Sequence, residues 1–287
     1  MADEFEAMAP HPRDKADLWF GPWRFALILF VLIFAAYPDV ITGVGTLFYR
    51  DFAILGYPQA QYLRDCFWHG ELPLWNPLSN CGNLFLAQWC TLTLYPLSLF
   101  YLVLPLSWSL GVFCLGHVFL AGFGMYFLAR RWADSWFAGA VAGVAFAFNG
   151  MTINAFQWPN YCVVLGWMPW VVLLVGCAWR EGGVRTIVPA ALVGLLQMLG
   201  GVPELILLTW LLVLAIHVGQ LLQGGVPRLQ MAARFVAVVA LIGALAAIRK
   251  GGVSVHELFF AESFGNKSLH KYAVDAVISH PFKMPVD

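Results

Sequence analysis

The chain has little charge. Only 11% of its 287 residues are Asp, Glu, Lys or Arg, against roughly 25% in soluble domains. A fold in water needs a solvated outer face, and this composition cannot supply one. Residues 72–129 hold no charged side chain, and neither do residues 135–179. A spanning helix needs about 20 mostly apolar residues, so each run is long enough for two passes. Lysine is scarcer still: residues 16–248 contain none. Net charge of either sign is missing too. The formal value is zero, which leaves no basic footprint for nucleic acid. The alternating ten-residue blocks of a transmembrane barrel are absent. Cysteine pairs at zinc spacing, a phosphate loop, an HExxH motif, a Ser-His-Asp order and a dinucleotide fingerprint in a supporting context are absent as well.

What is present is apolar and aromatic. Hydrophobic residues make up 61% of the chain, 13 residues are Trp, and the mean hydropathy is +0.74. Backbone amides in lipid must be paired within their own segment, so the spans are expected to be helical. The fold class expected is all-α: a polytopic helical membrane protein with about seven transmembrane helices. Trp19, Trp23, Trp108, Trp132, Trp136 and Trp158 sit near the expected span ends, as an interfacial belt requires.

Residues 1–22 read as a cytoplasmic tail. The first span is expected from about Trp23 to Val44 and reads as an uncleaved signal anchor. Later spans fall near 107–129, 136–156, 161–178, 184–201, 204–222 and 233–248. Between them lies a long first loop, about 45–106. Its second half, Leu84 to Leu106, is apolar but interrupted by Pro96 and Pro105, which suits a broken or re-entrant piece better than a straight span. The arginine pairs Arg130/Arg131, Arg180/Arg185 and Arg228/Arg234 are each two spans apart and mark one side. If 84–106 does not cross, nine basic residues up to position 248 lie inside and two outside; if it crosses, the count is eight against three. Arg24 at the mouth of the first span and the two prolines favour the first arrangement, with the first loop outside the cytoplasm. Residues 249–287 hold four of the five lysines and read as a divergent tail, native or the product of a truncated gene end.

Seven acids lie between residues 22 and 248, and four of them, Asp39, Asp51, Asp65 and Glu71, are at the outer end of the first span or in the first loop. Asp65 and Glu71 read as solvated loop charges. Asp51, in Leu47-Phe48-Tyr49-Arg50-Asp51-Phe52, has aromatic neighbours that hold it at the membrane surface. An ionised oxygen there suits a general base or a contact to a divalent cation. Downstream, Trp75, Asn76 and Asn80 are either parts of a rigid turn or a site wall, with the amides facing a polar ligand and Trp75 a sugar ring. Arg50 and Arg64 offer forks that suit phosphate oxygens. Asn149, Asn154 and Gln157 read first as helix-ending residues, and Glu204 as a helix-capping acid. His117 and His217 read as interhelical hydrogen-bonding residues. Cys114, Cys162 and Cys177 read as small core residues. Cys66 and Cys81 share the first loop and are a candidate disulfide in an oxidising compartment.

The strings Tyr49-Arg50-Asp51, Gly70-Glu71-Leu72-Pro73-Leu74-Trp75-Asn76-Pro77, Gly82, Gln88 and Tyr95-Pro96-Leu97 occur in this order, followed by Ala129-Arg130-Arg131 and Phe148-Asn149-Gly150. In these the chain resembles the bacterial YfhO-type membrane proteins, a family similar to the broad GT-C type of glycosyltransferase. The likeness covers roughly residues 23–248. It implies transfer of a sugar from a polyprenyl-phosphate donor to a cell-envelope glycan acceptor, on the outer side of a bacterial cell membrane. It implies that Asp51 is the catalytic base or metal contact, with Arg50, Arg64, Trp75, Asn76, Asn80 and Gln88 near the substrates. It also implies membrane-parallel helices in the first loop. Members of that family are longer, so the chain resembles a truncated member, and its independent activity is in question. The alternative function is a transporter or flippase. That would need polar groups at mid-membrane, and the spans offer mainly His117, His217 and Gln197.

Overall fold

A computed structural model describes residue 17 and residues 19–79, 82–86, 88–223 and 228–251. Asn80, Cys81 and most of the two terminal tails lie outside the described residues. So do the side chains of residues 89, 223, 228 and 244–250.

The first apolar run is not one helix. Helix α1 spans Pro22–Ala36 and α2 spans Pro38–Thr42. Tyr37 between them has φ −134° and ψ 52°. The residue before a proline is disfavoured in the helical region, because the proline ring crowds its amide and Cβ. Pro38 therefore breaks what hydropathy alone presents as a single span. The chain then turns at Tyr49-Arg50-Asp51, with Arg50 at φ +45° and its carbonyl accepting from the amides of Ala53 and Ile54. A wider, π-type turn follows over Phe52–Gly56 and runs straight into α3, Tyr57–His69.

Beyond Gly70 the loop becomes irregular. Two short strands, β1 (Trp75–Asn76) and β2 (Asn83–Leu84), pair antiparallel, Trp75 against Leu84 and Asn76 against Asn83. The stretch from Leu84 to Leu106 does not form a span. It breaks into 3-10 turns at Trp89–Thr91 and Pro96–Ser98 and a five-residue helix α4, Leu99–Val103. Pro96 opens the second turn, and Pro105 precedes the next helix.

The remaining helices are α5 (Leu106–Ala133), α6 (Trp136–Ala147), α7 (Gly150–Asn154), α8 (Pro159–Glu181), α9 (Val184–Leu199), α10 (Pro203–Gln223) and α11 (Arg228–Gly251). Among the described residues, four stretches are long and apolar enough to cross a membrane: Leu106–Ala133, Trp136–Gln157, Pro159–Glu181 and Pro203–Leu222. Pro22–Ala36, Val184–Leu199 and Leu229–Gly243 are apolar but shorter. Many large apolar side chains point outward, among them Leu207, Leu208, Leu211 and Leu214 on α10. Lipid tolerates that surface and water does not.

Helix α8 is the hub, packing on α5, α9, α10 and α11. Helices α5 and α6 approach closely because small residues face each other. A Cβ on Gly122 would sit 3.0 Å from the Gly143 carbonyl oxygen, and one on Gly143 only 2.7 Å from the Gly122 oxygen. Backbone contact of this kind is the main source of helix association where lipid removes the hydrophobic drive.

The N-terminal segment and the first loop lie at opposite ends of this bundle. The Asp17 carboxylate accepts from Ser135 Oγ at 2.7 Å and from the Phe137 amide at 2.9 Å, next to Arg130 and Arg131. Arg234 donates to the carbonyls of Trp179 and Arg180 at the same end. The first loop packs instead on residues 155–161 and 201–204.

Candidate functional site

The first loop forms a roof over its end of the bundle, and its polar side chains hold it there. Arg64 and Trp68, one turn apart on α3, face the C-terminal end of α4. Arg64 donates to the carbonyls of Tyr101, at 2.9 Å, and Leu104. Trp68 Nε1 donates to the Leu102 carbonyl at 2.9 Å. Carbonyls at a helix end have no partner within the helix, and these two side chains supply one. Tyr62 donates to the Trp75 carbonyl at 2.6 Å and so ties α3 to the strand pair. Burial pushes the Tyr62 phenol above its ordinary pKa, which keeps it a donor.

A deeper fastening joins the loop to the interior. His117 Nδ1 is 2.8 Å from the Phe113 carbonyl, which can only accept, so Nδ1 carries the proton. Nε2 is then the acceptor for Tyr95 Oη at 2.7 Å. The Tyr95 oxygen in turn accepts from Trp167 Nε1 at 2.8 Å. One chain of bonds thus runs from α8 through the loop to α5. His117 was expected to bond between helices; its partner comes from the loop instead.

Two cavities lie beneath the roof, and the stretch Tyr49–Gly56 walls both. The smaller, about 320 Å³, is bounded by Leu47, Tyr49, Phe52 and the 150–157 segment, including Asn154 and Gln157. Those two amides hydrogen-bond to each other. The larger, about 380 Å³, is bounded by Leu55, Gly56 and Gln59 from the loop, Trp158 to Tyr161 at the head of α8, and Gly201 to Glu204 at the head of α10. Gly56 lets the loop come down onto α8, since a Cβ there would lie 3.0 Å from Pro159. Tyr161 donates its hydroxyl to the Glu204 carboxylate. Asn160 is 7% exposed, and its amide makes no hydrogen bond among the described residues.

No protein-family model matches the chain, and no curated protein or solved structure matches it closely. The YfhO-type likeness therefore rests on the residues quoted for it.

The structure scatters the residues that the sequence singles out. Asp51 sits in the turn between the cavities, partly buried, and is not among the residues bounding either. Arg50 is exposed beside it. Arg64 is occupied with α4. Trp75 is half-buried under Gly82, whose Cβ position lies 2.3 Å from the Trp75 ring. Asn76 is buried, and its Oδ1 accepts from the Leu78 amide at 2.9 Å, closing a turn. Gln88 precedes the Trp89–Thr91 turn, and its carbonyl accepts from Thr91 Oγ1 at 3.3 Å. Asn80 and Cys81 lie outside the described residues, while Cys66 is a buried free thiol. Asn149 caps α7, accepting from the Thr152 amide at 2.9 Å. Glu204 lies in the first turn of α10, as a capping acid does, and also faces the larger cavity.

Sequence reasoning missed Asn160. The signal available was a polar residue in Trp158-Pro159-Asn160-Tyr161 at a span mouth. A divalent cation takes six or more oxygen ligands. Among the described residues no three His, Cys, Asp or Glu side chains gather into such a set.

Proposed function

We propose that this is a multi-pass protein of a bacterial cell membrane that transfers a sugar from a polyprenyl-phosphate donor to an acceptor outside the cytoplasm. The four long apolar helices and the three shorter ones make about seven spans in this reading, with the arginine-bearing end in the cytoplasm. One observation carries the functional part. The first loop roofs one end of the bundle and leaves two cavities there, with the Asp51 carboxylate in the turn between them. In the reaction the acceptor oxygen bonds to the anomeric carbon. The bond from that carbon to the phosphate oxygen breaks, and the polyprenyl phosphate leaves with the electron pair. Asp51 accepts the acceptor's hydroxyl proton, a role worth about 10²–10⁴-fold in rate. The test is incorporation of radiolabelled sugar from a polyprenyl-phosphate donor by membranes carrying the chain. Transfer by the wild-type chain that Asp51→Asn leaves undiminished would remove Asp51 from the chemistry.

A transporter is the second reading, favoured by one feature. Gln197 Oε1, His217 Nε2, Gln220 Oε1 and the indole nitrogens of Trp179 and Trp210 are buried without a hydrogen-bond partner among the described residues. Solute uptake into proteoliposomes without a covalent product would favour this reading over transfer.

A further inference from the structure

The larger cavity carries a ligand assignment of its own. Its polar groups come from five places in the chain: Gln59 on α3, Cys90 and Thr91 in the turn after the strand pair, Tyr101 on α4, Asn160 and Tyr161 at the head of α8, and Glu204 at the head of α10. Among the described residues that bound it, Glu204 is the single charged one, and none is Lys, Arg or His. An anion brought into this space would meet a carboxylate and no counter-charge. Like charges at close range are costly, more so where water is thin. A phosphate is therefore the wrong occupant.

A cation would find one carboxylate, but that carboxylate is already engaged by Tyr161 and sits in the first turn of α10, where the helix dipole offsets its charge. What remains unfilled is hydrogen-bonding capacity. The Asn160 amide has two donors and a carbonyl acceptor. It is 7% exposed and unpaired among the described residues. Its polar atoms are not among those sealed from solvent without a partner, so the amide opens to the cavity and is available to a ligand there. Glu204 keeps further acceptor sites after binding Tyr161. Trp158 and Tyr161, with ring centroids 4.9 Å apart, give the cavity an aromatic wall. Leu55, Leu92 and Val202 make the rest apolar. Amides, a carboxylate acceptor and an aromatic face beside an apolar wall match a neutral ring that carries hydroxyls on its edges and C–H groups on its faces. The volume of about 380 Å³ admits one or two such rings.

We infer that this cavity binds the uncharged, hydroxyl-bearing sugar ring of an amphiphilic glycoside, through Asn160 and Glu204, and does not hold a phosphate. The inference rests on the same roofed space as the transfer reading, but binding is read without turnover.

The experiment uses the full chain in lipid nanodiscs and two photoreactive probes with the same diazirine-bearing octyl chain, one headed by β-D-glucopyranose and one by phosphate. Peptides are mapped after illumination. The expected result is that the glucoside labels peptides containing Trp158–Tyr161 or Gly201–Glu204, at least tenfold more than the phosphate probe does. Excess methyl β-D-glucopyranoside should suppress that labelling. Asn160→Ala and Glu204→Gln should each lower it at least fivefold, and Ser135→Ala, at the opposite end of the bundle, should leave it unchanged. Equal or stronger labelling by the phosphate probe overturns the inference on the wild-type chain alone, whatever the variants do. So does glucoside labelling spread evenly over the lipid-facing helices, or labelling that both variants retain. If sugar transfer is never detected while the glucoside labels as expected, the transfer reading fails and this one holds.

Discussion

The two ends of the bundle treat polar groups differently. At the arginine-bearing end, polar side chains close helix termini or meet a neighbour, while the unpaired atoms Trp179 Nε1, His217 Nε2 and Gln220 Oε1 are sealed within the bundle. Asp17 joins Ser135 and the head of α6, Arg234 covers the last carbonyls of α8, and Arg130 stacks on Trp136. Arg131 lies 3.7 Å from Glu181. At the other end the first loop also fastens itself, through Arg64, Trp68 and Tyr62. Yet it leaves Asn160 and Glu204 turned to a cavity. The difference is one of access: the roofed end opens polar groups to a cavity, and the other end closes its own off.

The contrast can be broken or sharpened by substitution. The largest effect is expected from Asp51→Asn, which should lower sugar transfer about 10²-fold or more while the protein still inserts and folds. Radiolabel incorporation together with gel filtration of the purified variant checks both halves. Next comes Tyr95→Phe. It leaves His117 Nε2 and Trp167 Nε1 without partners and should destabilise by about 1–3 kcal/mol, read as a lower thermal midpoint in nanodiscs. Gly143→Leu drives a side chain into the Gly122 backbone and should cost a comparable 1–3 kcal/mol or so. It tests the bundle, because the atoms nearest a Cβ at Gly143 belong to Phe25 and Gly122 and not to the roof. Ser135→Ala removes the hydroxyl that accepts from the Ala138 amide at 3.2 Å and should cost about 0.5–2 kcal/mol, leaving glycoside labelling untouched. The smallest effect concerns reactivity. Burial raises the pKa of the Cys66 thiol, so less of it is thiolate at a given pH. A maleimide applied outside intact cells at pH 7.5 should label exposed Cys90 much faster than Cys66. Labelling of Cys90 only after permeabilisation would put the roofed end in the cytoplasm.

Much of the fold was legible because lipid simplifies the code. Long uncharged runs could only be helices, and the expected spans from 107 onward fall on helical segments, although 136–156 divides into α6, α7 and a 3-10 turn. Pro96 and Pro105 correctly marked 84–106 as broken. Pro38 carried the same message, but unbroken hydropathy around it masked the division into α1 and α2. The site was less legible. Asp51 stood out for its local surroundings, whereas the larger cavity is assembled from segments about 40 to 150 residues apart. No local pattern announces such a meeting. Glu204 read as a cap because helix starts favour acids, and that reading describes only half of its position. Arg64 looked free for phosphate, since nothing in its own segment discloses the α4 carbonyls that occupy it.

The bond chain from Trp167 through Tyr95 to His117 bears on traffic. Lifting the loop would pull a buried phenol away from both partners and strand an indole and an imidazole in apolar surroundings. The loop is thus riveted, and a ligand that entered from the side would pass the heads of α8 and α10, which bound the larger cavity. A molecule held in the bilayer by a greasy tail reaches such a doorway by diffusing in two dimensions, without ever leaving the membrane.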